Sequence, residues 1–174
     1  MKAQQSIFLV GPMGVGKTTI GRQLASLMGY EFVDSDREIE SRTGASIPWI
    51  FDMEGEEGFR RREQNIINEL SARPGIVLAT GGGAVIKPEN RACLKQRGIV
   101  VYLRADIDEL LARTRNDKNR PLLQTEDPRS RLEALIRERE PWYLDVADIT
   151  FDTQHQNIKA AARMLHGQIV EFEK

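Results

Sequence analysis

Several features that mark large protein classes are missing from this sequence. It has one cysteine, Cys93, so no internal disulfide can form. A reducing compartment, the cytoplasm, is the expected setting. There is no basic excess: 25 Lys and Arg stand against 26 Asp and Glu, a net charge of -1. That balance argues against a nucleic-acid binder. There is no apolar run near the roughly 20 residues a membrane span needs. Ile7 to Val10 is far too brief for that, and the polar stretch from Met1 to Gln5 does not read as a signal peptide. Repeats, low-complexity tracts and linkers are absent as well. With 174 residues, 40% of them apolar, the expectation is one soluble domain spanning residues 1–174 with a real core.

What is present is an alternation of short apolar runs and helical patterns. Strands are expected at Ser6–Val10, Glu31–Asp34, Ile76–Ala79, Ile99–Leu103 and Ile149–Phe151. Between them the spacing predicts helices over Lys17–Met28, Asp36–Arg42, Ile47–Met53, Glu57–Leu70, Pro88–Arg97, Asp106–Arg115, Arg129–Glu140, Pro141–Val146 and Asn157–Val170. Gly44 and Pro48 read as breakers, and Asp106 as a helix cap. This order implies an α/β fold with a parallel sheet flanked by helices. The charged stretch from Asn116 to Glu126 has little to bury and reads as a mobile loop.

The strongest motif is Gly11-Pro12-Met13-Gly14-Val15-Gly16-Lys17-Thr18, a phosphate-binding loop between a strand and a helix. Glycines permit the tight turns, and backbone N–H groups at the helix start converge on phosphate oxygens. Gly14, Val15, Gly16, Lys17, Thr18 and Thr19 are the expected nucleotide contacts. Lys17 reaches the β- and γ-phosphates, and the Thr18 hydroxyl suits Mg²⁺. Such a loop fixes nucleotide binding but not the reaction. The Asn-Lys-x-Asp guanine reader of GTPases is absent. The third strand ends in Gly81-Gly82-Gly83 rather than in the acid of an ATPase motor.

Mg²⁺ therefore needs a carboxylate from elsewhere, and Asp34-Ser35-Asp36 follows the second strand. As residues i and i+2 of a pleated chain, the two acids would face one site. One would hold the water shell of Mg²⁺ and the other would accept a proton from a hydroxyl. The competing reading is an ordinary helix cap. Arginine supplies the third cluster. Arg60, Arg61 and Arg62 are consecutive and cannot all face one way on a helix, so some must pair with neighbouring acids. Arg113, Arg115 and Arg120 surround the charged loop, and Arg139 lies in a later helix. Arginine's planar fork suits a carboxylate, and a loop arginine can close over transferring phosphate.

Taken in order, these motifs resemble the shikimate kinase family, the ATP-dependent kinases of aromatic amino-acid biosynthesis. The resemblance rests on the P-loop, Asp34-Ser35-Asp36, Gly55-Glu56-Glu57-Gly58-Phe59-Arg60, Thr80-Gly81-Gly82-Gly83, Arg120-Pro121-Leu122-Leu123, and Arg139 before Pro141-Trp142-Tyr143. It runs from Ile7 to Gln156. It implies a P-loop NTPase fold of the nucleoside monophosphate kinase type, with a five-stranded parallel sheet. A substrate-binding helical region at about 34–62 and a lid at about 113–125 would complete it.

The resemblance also implies site roles. Asp36 would bind the reacting hydroxyl and act as its base. Asp34 would hold Mg²⁺ through water, alongside Thr18. Arg60 and Arg139 would grip the shikimate carboxylate, with the Gly82 backbone beside the ring. Arg120 would reach the ATP phosphates from the lid, while Arg113 and Gln156 would lie near adenine. A monomer is the expected state. Other small-molecule P-loop kinases, for gluconate or nucleoside monophosphates, remain as alternatives, as does a nucleotide-dependent binding protein on the same fold.

Overall fold

The computed structural model describes residues 4–115, 123–153 and 156–174. Its centre is a five-stranded parallel sheet in the order β2-β3-β1-β4-β5. The strands are β1 (Ser6–Val10), β2 (Glu31–Asp34), β3 (Ile76–Ala79), β4 (Gly98–Arg104) and β5 (Ile149–Asp152). Seven α-helices are found among the described residues: α1 (Lys17–Met28), α2 (Ser35–Thr43), α3 (Ile47–Leu70), α4 (Pro88–Arg97), α5 (Ile107–Thr114), α6 (Pro128–Val146) and α7 (Ile158–Phe172).

The short central strands are apolar on both sides because helices cover both faces. Ile7 and Leu9 of β1 enter one core with Leu24, Val101, Leu103 and Leu165, under α1 and α7. Phe8 and Val10, one residue out of phase, enter the other with Leu78, Val100, Tyr102 and Ile67. The register sets β1, β2 and β3 level at their C-terminal ends: Ala79 lies beside both Leu9 and Asp34. The loops leaving these three strands therefore open on the same edge of the sheet. That edge is where open α/β sheets bind ligands.

Several helix boundaries differ from the sequence expectation. The two helices expected at 47–53 and 57–70 form one element, bent at Gly55 with φ 72° and ψ 175°. Glycine takes that left-handed turn without a side-chain clash, and the chain re-enters the helix on a new axis. Pro48 does not break this helix but sits in its first turn, where proline is tolerated. The pieces expected on either side of Pro141 form the single helix α6. Pro141 forfeits one backbone hydrogen bond, but Leu132, Leu135, Arg139, Tyr143 and Val146 are buried along the helix and hold it together. Finally, α2 starts at Ser35, so Asp36 lies inside its first turn rather than on an extended strand.

Candidate active site

The P-loop leaves β1 with positive φ at Gly11 (148°), Gly14 (83°) and Gly16 (102°). Gly14 also sits against other backbone: a Cβ there would lie 2.7 Å from Thr114 Cγ2 and 3.1 Å from the Leu110 carbonyl. Both the turn and the close approach require glycine. Lys17 reaches back over the loop, donating to the Gly11 carbonyl and to that of Pro12 at 3.0 Å. Arg113 approaches from α5 and donates to the carbonyls of Gly14 (3.2 Å) and Val15 (2.9 Å). Thr19 opens the side of α1 toward the same region. Gly16, Thr19, Ile20, Arg113, Thr153, Gln156, Ile158 and Ala161 line one cavity beside the loop. Gln156 Oε1 is buried there with no hydrogen-bond partner among the described residues. The sequence reading missed Thr153 and Ile158, whose placement depends on how β5 ends.

Asp34 closes the second strand and caps α2. Its Oδ1 accepts from the backbone N–H groups of Asp36 (3.0 Å) and Arg37 (3.2 Å), while its Oδ2 accepts from the Thr18 hydroxyl at 2.8 Å. The cap and the site are thus served by opposite oxygens of one carboxylate. Asp36 reaches the same edge by the first turn of a helix, not by strand pleating, which corrects the geometric expectation. Its carboxylate faces the glycine strand end: a Cβ on Gly81 would lie 2.8 Å from Asp36 Oδ1 and 3.0 Å from Glu63 Oε2. The glycine segment is itself fixed. Thr80 donates through N–H and hydroxyl to the Leu9 carbonyl (3.1 and 2.8 Å), and Gly81 N–H donates to the Ser35 hydroxyl (3.3 Å).

Behind the glycines lie three buried ionic side chains: Arg60 (7% exposed), Arg139 (4%) and Glu63 (0%). Arg60 pairs with Glu63 at 2.9 Å and with the half-exposed Glu56 at 3.3 Å. Its neighbours point elsewhere: Arg62 meets Glu54 at 2.8 Å, and the exposed Arg61 lies 3.9 Å from Glu57. Burial pulls the Arg60 guanidinium down, but the two glutamates outweigh it and the net shift is upward. Burial pushes the Glu63 carboxyl up despite Arg60 and Arg139 beside it. Burial also lowers Arg139, although its contact with the Tyr143 hydroxyl opposes this. Arg60 Nε and Arg139 Nε have no hydrogen-bond partner among the described residues. Arg60 is answered by two glutamates, whereas Arg139 is in no ion pair among the described residues and is suited to a carboxylate ligand.

A Cβ on Gly83 would lie 2.3 Å from Arg60 Nη2, and one on Gly82 would lie 3.6 Å from Arg139 Nη1. The glycine edge thus passes between the two guanidinium groups. The sequence assigned no site role to Glu63 or Tyr143. Their spacing, i+3 from Arg60 and i+4 from Arg139, is the signal that could have found them. Arg120, with Pro121 and Leu122 of its motif, lies outside the described residues, as does most of the expected lid.

A family model for shikimate kinase matches residues 13–169. This chain belongs to the shikimate kinase family. A shikimate kinase from Psychromonas ingrahamii is 58% identical over 165 residues, covering 95% of this chain and 96% of that protein. The solved structure of an Acinetobacter baumannii shikimate kinase in complex with shikimate superposes with a TM-score of 0.95 at 53% identity, covering 97% of this chain and 94% of that one. A gluconokinase from Sinorhizobium meliloti shares the fold, with a TM-score of 0.57 at 17% identity. Among the described residues, no helix is long and apolar enough to cross a membrane.

Proposed function

We propose that this chain transfers the γ-phosphoryl group of ATP to the 3-hydroxyl of shikimate, giving shikimate 3-phosphate and ADP. The observation that carries the reading is the buried Arg60–Glu63–Arg139 group beside Asp36 and the glycine strand end. It joins a carboxylate-binding charge to a proton acceptor on the edge that also holds the P-loop. Arg60 and Arg139 bind the acceptor's carboxylate, and the Gly82 backbone lies beside the ring. Asp36 orients the 3-hydroxyl and takes its proton as the phosphoryl group arrives.

The P-loop amides from Gly14 to Thr19 cradle the phosphates, and Lys17 leaves the Gly11 and Pro12 carbonyls to meet the β- and γ-oxygens. The adenine enters the cavity beside Arg113 and Gln156, where the buried Gln156 Oε1 suits the exocyclic amine. The Thr18 hydroxyl and Asp34 carboxylate, 2.8 Å apart, form the hard-oxygen set that Mg²⁺ takes beside phosphate and water. Bound there, Mg²⁺ would neutralise the charge on the transferring phosphates. Arg120 acts from the lid at about 113–125 on the same phosphates, and the helical region at about 34–62 binds the acceptor. The chain works as one domain, residues 1–174, monomeric and in the cytoplasm.

The test is ADP release with ATP and Mg²⁺, comparing shikimate, gluconate, AMP and no acceptor. Release that depends on shikimate alone is expected. Release with gluconate or AMP instead would assign the fold to another acceptor. Release with none of them would favour a nucleotide-binding role.

A further inference from the structure

We infer that Tyr143 is a positioning residue for the acceptor carboxylate, fixing both the Arg139 fork and the Gly82–Gly83 peptide plane. The inference rests on the reading above, in which Arg139 binds that carboxylate. Tyr143 is 1% exposed and sits one helical turn beyond Arg139 on α6. Its hydroxyl donates to the Gly82 carbonyl, across 61 residues of sequence, and Gly82 in turn lies against Arg139, since a Cβ there would stand 3.6 Å from Arg139 Nη1. The direction of the bond is forced. A backbone carbonyl oxygen can only accept, so the single hydroxyl proton goes to Gly82. One neutral hydroxyl therefore fixes a backbone carbonyl of the segment that lies against a buried cation.

Both ends of this bridge matter to an anion. Holding the Gly82 carbonyl toward Tyr143 fixes the whole trans peptide, so the Gly83 N–H points the opposite way. A flipped peptide would exchange that donor for a carbonyl in the segment that packs on Arg60. At the other end, Arg139 has a buried Nε with no partner among the described residues. Without the Tyr143 hydroxyl, the glycine backbone that packs on the Arg139 fork would lose its anchor. The ring itself is anchored independently, packing edge to face on Tyr102 with centroids 5.0 Å apart. The hydroxyl can therefore be removed while the packing stays.

The experiment compares Tyr143→Phe, Tyr102→Phe, Arg139→Lys and the double variant Tyr143→Phe/Arg139→Lys. The readouts are KM for shikimate, KM for ATP, kcat and Tm. Tyr102→Phe is the control, because it removes a buried hydroxyl that bonds Glu140 rather than the site. Tyr143→Phe should raise the shikimate KM roughly five- to tenfold, leaving kcat and the ATP KM within about twofold. Tyr102→Phe should leave all three unchanged. In the double variant the effects should be less than multiplicative, because both changes loosen one fork. An unchanged shikimate KM in Tyr143→Phe, an equal rise in Tyr102→Phe, or fully multiplicative effects would overturn the inference. Wild-type protein without shikimate-dependent turnover would overturn the acceptor assignment and this inference with it.

Discussion

Arg60 and Glu63, one turn apart on α3, form a 2.9 Å ion pair with both side chains buried. Glu63 thus supplies the only fully buried carboxylate described beside two buried guanidinium groups. Arg139 is in no ion pair among the described residues and remains for a ligand to answer. The balance between desolvation and pairing at Glu63 decides how this pocket responds to pH. Burial holds its carboxyl above the ordinary 4.5. A carboxyl raised in the folded state contributes stability fully below the unfolded value and loses it as pH rises through the folded value. Compared with Glu63→Gln, the wild-type protein should therefore lose ground in Tm from about pH 4.5 toward neutrality. A wild-type advantage that grows over that range would show that pairing with Arg60 outweighs burial.

Asp36→Asn keeps the size and polarity of the side chain and removes its basicity. ATP affinity should be retained, because Asp34 and Thr18 are untouched. Turnover should fall at least about a hundredfold, the usual effect of losing a positioned general base. Near-normal kcat would remove Asp36 from that role.

Arg139→Lys preserves the charge but replaces a planar fork with a single point donor. The shikimate KM should rise roughly ten- to hundredfold, equivalent to one lost charge-assisted hydrogen bond. The ATP KM should not move. An unchanged shikimate KM would place the carboxylate elsewhere.

Gly83→Ala tests the close passage of backbone and guanidinium. Gly83 has ordinary backbone angles, φ -97° and ψ 9°. The penalty therefore comes from contact alone, because the new Cβ would lie 2.3 Å from Arg60 Nη2. Arg60 is held by Glu63 and cannot swing away freely. The shikimate KM should rise about tenfold or more, as displacement of a positioning group does. Steady-state kinetics with each substrate varied in turn will check it, and a rise in the ATP KM alone would contradict the geometry.

The parts of the molecule that could be read in advance are those whose residues are contiguous. The P-loop places its glycines and Lys17 within one turn, so spacing alone carries its geometry. The central strands β1, β3 and β4 stood out because each is a short apolar run buried on both faces. Asp34 and Asp36 were paired by a pleating rule that does not apply, since Asp34 also caps the helix that carries Asp36. Which of Arg60, Arg61 and Arg62 turns inward depends on the bend at Gly55 and on where β3 ends, and neither is a local property. Tyr143 stood in a motif without a role of its own because its partner, the Gly82 carbonyl, belongs to a distant strand end. Pro141 looked like a helix boundary because a single proline outweighs its surroundings in a local pattern but not in a packed helix.

The most direct test of the account is the position of phosphate in the product. After turnover with ATP and shikimate, ³¹P–¹H coupling in the isolated product should connect phosphorus to the proton on C3. Phosphate on another hydroxyl, or only inorganic phosphate, would contradict the placement of the 3-hydroxyl against Asp36.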